Sequence, residues 1–156
     1  MMKVFWMLTN KQKSTIKDLS NLFNVRYRII KPDSAGCEGW SFCEENMILI
    51  SNMKMTDSRL ISITLHEICH ILAFKNNKFN LYHHPSGMVL TKEHIRAIIR
   101  TGWRAEKYVD CQAEKMMKKL FPRRKFVQSY NLKDDDDKEW YNKHFLNYYR
   151  ELLAST

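Results

Sequence analysis

The sequence predicts an α+β fold in a single domain. A chain of 156 residues has the length of one domain, long enough to bury about 70% of its unfolded surface. Apolar residues make up 44% and charged residues 28%, the composition of an ordinary globular domain. After one early helix, the strand patterns cluster before residue 52 and the helical patterns follow residue 56. This segregation indicates α+β rather than an alternating α/β fold.

The first half of the chain is predicted to form one helix followed by three short strands. An amphipathic helix over residues 11–24 is indicated by apolar side chains at helical spacing, namely Ile16, Leu19, Leu22 and Phe23. Residues 25–31 (VRYRIIK) are rich in β-branched and aromatic side chains, so we predict a strand there. Residues 39–43 (GWSFC) and 46–51 (NMILIS) are predicted as two further strands, joined as a hairpin around Glu44 and Glu45.

The second half is predicted to be helical. Helices are expected over residues 57–74, 91–101 and 103–120. Thr56 or Asp57 can cap the first of these helices, and a polar loop follows it over residues 76–87. The third helix is expected to stop before Pro122, because proline cannot continue a helix.

Residues 123–156 are predicted to extend a core that spans about residues 10–122. A basic and aromatic connector leads to a last helix that begins in the acidic run 134–137, because acidic side chains are favourable at a helix N-terminus. The run DDDDK at residues 134–138 also resembles an epitope tag or protease linker, and the sequence leaves open whether it is native. We treat residues 1–156 as one domain.

The chain is strongly basic, with 26 Lys and Arg residues against 17 acidic residues and a net charge of +9. Such an excess attracts polyanions, so nucleic acid is a candidate partner. The alternative is a surface that is basic only for solubility. Residues 121–126 (FPRRKF) combine basic and aromatic side chains, which can contact phosphates and stack on bases or can form a solvated connector.

No membrane partner is predicted, because no stretch approaches the roughly 18 apolar residues of a membrane span. Residues 1–8 are too short for a signal peptide. The four cysteines, at positions 37, 43, 69 and 111, contain no CxxC pair. Reduced thiols and a cytoplasmic location are therefore expected, the host cytoplasm if the protein is phage-encoded.

The segment His66-Glu67-Ile68-Cys69-His70 is an HExxH motif. On a helix, side chains four residues apart lie on one face, so both imidazoles can bind one metal ion. Glu67 lies one position further round, where its carboxylate can accept a proton from a metal-bound water. The motif therefore predicts a Zn²⁺ site with two histidine ligands and Glu67 as general base. The alternative is a helix with two structural histidines.

A catalytic zinc site needs a third protein ligand and an open position for water. The candidates are Glu106, Asp110, His83, His84 and His94. Glu106 and Asp110 share a helical stripe with Ala113, Met117 and Leu120, and charged groups on an apolar face are costly unless paired or bound to metal. One acid can bind the ion while the other accepts a hydrogen bond from a ligating histidine. Alternatively, Glu106 forms a surface ion pair with a neighbouring basic residue.

The HExxH motif and residues 104–122 (RAEKYVDCQAEKMMKKLFP) together resemble zincin metallopeptidases of the gluzincin type, in which ExxxD follows HExxH. Over about residues 10–122, the chain is also similar to the small phage and bacterial metallopeptidases related to the ImmA/IrrE family. The resemblance implies a minimal zincin fold, with a small sheet packed on helices. It also implies zinc-dependent hydrolysis of peptide bonds in a protein or peptide substrate.

The same resemblance implies a role for each matching residue. His66 and His70 correspond to zinc ligands, Glu67 to the general base, Glu106 to the third ligand, and Asp110 to the acid that supports a ligand. The segment after Asp110 is longer and more basic than in the ImmA/IrrE pattern, and no sensor domain is recognisable. Substrate and regulation therefore do not carry over from the resemblance.

A rival resemblance is to the SprT-like family of DNA-associated zinc proteases, whose third ligand is a histidine some way beyond HExxH. Residues 66–87 (HEICHILAFKNNKFNLYHHPSG) are similar to that arrangement and would make His83 or His84 the third ligand. One of these histidines could instead stabilise the oxyanion of a tetrahedral intermediate. Three other residues compete for that role: Tyr82, His94 and Tyr108. A third interpretation is a non-catalytic, zincin-fold regulatory or DNA-binding protein that keeps zinc for stability.

Overall fold

Four helices and a three-stranded sheet make up the described part of the chain, which confirms the predicted α+β class. The computed structural model describes residues 7–32, 36–79, 82, 91–128, 139, 143 and 146–155. The elements, in chain order, are α1 (Asn10–Leu22), β1 (Arg26–Ile30), β2 (Gly39–Phe42), β3 (Met47–Ser51), α2 (Asp57–Lys75), α3 (Lys92–Leu120) and α4 (Asn147–Ser155).

The sheet is mixed, with strand order β1-β3-β2. β1 runs parallel to β3, with Arg26 opposite Met47. β2 and β3 form the predicted antiparallel hairpin, with Gly39 opposite Ile50. Asn46 closes the hairpin turn in the left-handed region, at φ 52°, a conformation that asparagine tolerates better than most residues. The hairpin leaves β2 at an edge of the described sheet, where it packs against α2.

Helix α2 is the interior element of the fold. Every residue from Leu60 to Ile71 is buried, because α1, α3 and the sheet all pack against this helix. Thr56 caps it by accepting a hydrogen bond from the Arg59 backbone N–H at 3.1 Å. The HExxH motif therefore lies in the most enclosed part of the protein.

The structure of helix α3 differs from the prediction. Two helices were predicted, over residues 91–101 and 103–120, but a single helix of 29 residues runs from Lys92 to Leu120. Gly102 lies inside it and is buried. Glycine in a helix interior costs about 1 kcal/mol relative to alanine, yet the helix continues through this position, where Gly102, Ile98 and Ala105 are all buried. The helix ends before Pro122, as expected.

The segment after α3 folds back over α2. Phe126 packs against the core, and the Val127 N–H donates a hydrogen bond of 2.9 Å to Ser62 Oγ. Arg59 donates from one amino group to the Gln128 carbonyl at 3.2 Å and pairs with Glu38 at 2.6 Å through another. Residues 121–128 are therefore a tethered connector.

The predicted helix start at residues 134–137 lies outside the described residues, but a C-terminal helix is present. It is α4, which packs against α3. All four cysteines are free thiols. Among the described residues, no helix combines the length and apolar character needed to cross a membrane.

We expect Ser62→Ala to lower the free energy of unfolding by about 1 kcal/mol, because the partly buried Val127 N–H loses its acceptor. Urea unfolding would measure the change. Thr15→Ala is the matched control, since the Thr15 hydroxyl donates within its own helix, to the Lys11 carbonyl. Equal urea midpoints for the two variants would contradict a stabilising role for the Ser62–Val127 hydrogen bond.

Candidate metal centre

Three buried side chains from α2 and α3 meet between the two helices. His66 and His70 lie one turn apart on α2, and Glu106 reaches them from α3. His66 Nε2 is 3.0 Å from Glu106 Oε2, and His70 Nε2 is 3.2 Å from Glu106 Oε1. The two Nε2 atoms are 3.2 Å apart. The three side chains form a group that could hold a metal ion.

Asp110 determines which atom His66 presents to this group. Its Oδ1 lies 2.8 Å from His66 Nδ1, so Nδ1–H donates to the carboxylate and the Nε2 atom faces the cluster. Lone pairs about 3 Å apart repel unless a proton or a metal ion lies between them. With one ligand atom from each residue, the three atoms lie within 4.8 Å of one another, and small side-chain movements would bring them to the ~3.3 Å between neighbouring ligands of a tetrahedral zinc ion. The donor set therefore fits a divalent metal.

The contacts within the cluster also determine the pKa values of its side chains. Burial lowers the pKa of His66, but hydrogen bonds to Asp110 and Glu106 outweigh it and hold that pKa well above the ordinary value. Burial raises the pKa of Glu106, but the charge of His70 and hydrogen bonds from both histidines hold it well below the ordinary value. Glu106 is therefore an anion, and the two imidazoles face a negative charge that favours a bound cation.

Tyr82 contacts the cluster from the segment after α2. Its hydroxyl donates a hydrogen bond of 2.5 Å to Glu106 Oε1, and its ring centroid lies 6.2 Å from that of His70. The sequence suggested Tyr82 only as one of several oxyanion-stabilising residues. The structure brings it to the carboxylate, where it orients Glu106.

Glu67 is buried beside the cluster, between α2 and β2. Burial raises the pKa of Glu67, and the neighbouring charges of His66 and His70 offset part of the rise. The Ser41 side chain also offsets part of the rise. A Cβ atom added at Gly39 would lie 3.1 Å from Glu67 Cγ, so the glycine permits the close approach of β2.

Ser41 and Gly39 were missed by the sequence interpretation. No motif spacing links them to HExxH, because the contact depends on how β2 packs against α2. The sequence did contain one indication of this contact. Residues 39 and 41 are two positions apart in a predicted strand and therefore lie on the same face of it.

The other candidate residues lie elsewhere or outside the described residues. His94 forms a contact of 2.9 Å with Thr91 Oγ1 at the start of α3. The Tyr108 ring packs on Phe79, with centroids 5.8 Å apart. His83 and His84 fall outside the described part of the chain. Of the third-ligand candidates that are described, Glu106 therefore joins the two imidazoles, and Asp110 supports His66.

Comparison of the chain with protein-family models, curated proteins and solved structures gave no match.

With zinc as the test ion, we expect Glu106→Ala to lose metal binding, because it removes the carboxylate that faces both imidazoles. The double variant His83→Ala/His84→Ala is the comparison and should keep about one zinc ion per chain, as expected for a site with three protein ligands. Elemental mass spectrometry of the purified proteins measures both. Zinc lost only from the histidine variant would refute Glu106 as the third ligand.

Asp110→Asn should weaken zinc binding by about 10- to 100-fold, because the partner of a ligating histidine orients its ring and raises its basicity. Competition with a chromogenic chelator gives the affinity. Asp18→Asn is a suitable control, since Asp18 is exposed on α1. An Asp110→Asn affinity within twofold of wild type would exclude this supporting role.

Proposed function

We propose that the protein is a zinc-dependent peptidase that hydrolyses peptide bonds in a protein or peptide substrate. The observation that carries the proposal is the position of Glu67, a buried carboxylate with a raised pKa beside the His66, His70 and Glu106 cluster. A site that held a metal only for stability would not need a buried, proton-accepting carboxylate next to it. Histidine nitrogens with one carboxylate oxygen are a donor set that suits zinc.

His66, His70 and Glu106 would hold the ion. Zinc in such a site supplies a Lewis acid that polarises a carbonyl oxygen and makes water more acidic. Asp110 keeps His66 in the tautomer that presents Nε2, and Tyr82 restrains the Glu106 carboxylate by the hydrogen bond to Oε1. These two contacts orient the donors before substrate arrives, which reduces the reorganisation needed during reaction.

Glu67 moves the proton. Its carboxylate accepts a proton from the water whose oxygen attacks the peptide carbonyl carbon, and it then delivers that proton to the departing amine nitrogen as the C–N bond breaks. The raised pKa of Glu67 suits both steps, because a base must hold the proton long enough to return it.

The edge position of β2 supports a peptide as the substrate. An edge strand offers backbone N–H and C=O groups to an extended chain, and Gly39 in β2 lies against the Glu67 side chain. An extended peptide paired with β2 would therefore pass close to the carboxylate that acts on it.

Glu67→Gln should reduce peptide hydrolysis by at least about 100-fold, since general-base catalysis contributes roughly 10²- to 10⁴-fold. The amide has nearly the same shape, and Glu67 is not one of the three side chains that could hold the metal, so zinc content should not change. Cleavage of a peptide library followed by mass spectrometry measures activity, and elemental analysis measures zinc. Glu114→Gln, on the outer part of α3, is the control. A Glu67→Gln protein that cleaves as fast as wild type would rule out this mechanism.

A further inference from the structure

The outward side of α3 carries a continuous row of cations. At about 100° per residue, five exposed basic side chains fall within an arc of about 80°. They are Arg100, Arg104, Lys107, Lys115 and Lys118, and we call them the basic stripe. Cys111 occupies the remaining position of the row. The stripe is about 27 Å long, from 18 residues at about 1.5 Å each.

The basic stripe is separate from the metal centre. Glu106 and Asp110 lie about 120° away around the same helix, on the face that packs against α2, and both are buried. A partner bound along the stripe would therefore not cover the cluster. Glu67 lies on α2 and contacts Gly39 of β2.

Few carboxylates of the protein lie close to the cations of the basic stripe. Within the described ranges, Lys118 is its one member with a carboxylate within 4.0 Å, and that contact, to Glu114 Oε1, is 3.9 Å long. The exposed side chains of Lys119, Arg123 and Lys125 extend the positive surface beyond the helix end. Aligned cations with few counter-charges create a strong local field that attracts a polyanion.

We propose that the basic stripe binds the phosphate backbone of double-stranded DNA without sequence preference. Its length of about 27 Å matches about eight base pairs at 3.4 Å each. Its cations recur about once per helical turn, so several can contact phosphates at once. Binding of a duplex along the basic stripe does not depend on the proposed peptidase activity.

Two other polyanionic partners fit less well. Single strands are usually held by aromatic side chains that stack on bases, but the stripe has no aromatic member. The neighbouring Tyr108 ring is covered by Phe79 and by the Lys78 ammonium, 5.1 Å from its centroid. A membrane-surface helix inserts an apolar face into lipid, but the apolar face of α3 is buried in the core.

Fluorescence anisotropy with a labelled 20-base-pair duplex, between 50 and 200 mM NaCl, tests the proposal. The variant Arg104→Gln/Lys107→Gln/Lys115→Gln should bind at least about tenfold more weakly at 50 mM NaCl. The slope of log K against log salt concentration should be smaller in magnitude by about three for this variant. Each phosphate that is no longer neutralised contributes roughly 0.9 to that change.

The matched control is Lys11→Gln/Lys17→Gln/Lys31→Gln, which removes the same charge from exposed residues outside α3 and should bind within twofold of wild type. Circular dichroism checks that both triple variants are folded. Glu67→Gln should bind the duplex as wild type does, which separates this inference from the peptidase proposal.

Three results would overturn the proposal. Equally weakened binding in the two triple variants would mean that net charge alone is responsible. Tighter binding to a 20-nucleotide single strand, or to vesicles of 70% phosphatidylcholine and 30% phosphatidylserine, would identify a different partner. Failure of the wild type to bind the duplex at 50 mM NaCl would exclude the DNA site outright.

Discussion

The burial of four ionisable side chains between α2 and α3 is the constraint on which the rest of the structure depends. His66, His70, Glu106 and Asp110 are all buried, and a charge removed from water costs several kcal/mol unless an opposite charge or an ion replaces its hydration. Each carboxylate therefore has to meet an imidazole. A shift of one residue along either helix would leave a carboxylate against apolar side chains, so this requirement selects one register for the helix pair.

Small side chains around the centre make that register accessible. On α3, Ala105 and Ala113 are fully buried beside the two acids, and their size lets the helix approach α2 closely enough for the carboxylates to reach the imidazoles. Gly39 has the same effect on the opposite side of α2, where β2 meets Glu67. The donors of the centre and the proton acceptor beside it are thus held by packing from two directions.

Much of the fold, and the inward direction of the four buried side chains of the centre, could be predicted from local sequence patterns. The HExxH spacing places His66 and His70 on one helix face, and the apolar stripe of α3 indicates that Glu106 and Asp110 point inward. These inferences succeed because helical periodicity is a local property of the chain. The continuity of α3 through Gly102 was not predicted, since tertiary burial outweighs a local cost. The contacts of Tyr82 and Ser41 depend on how a loop and a strand pack against helices, which no local pattern encodes.

The tether formed by Ser62 and Arg59 has a consequence for folding during synthesis. Both side chains lie near the start of α2, but they bind the backbone of Val127 and Gln128. A nascent chain that ends at α3 already contains both halves of the metal centre, yet it lacks the segment that covers the first turns of α2. We therefore expect the interior to close late on the ribosome, only after residue 128 has emerged from the exit tunnel.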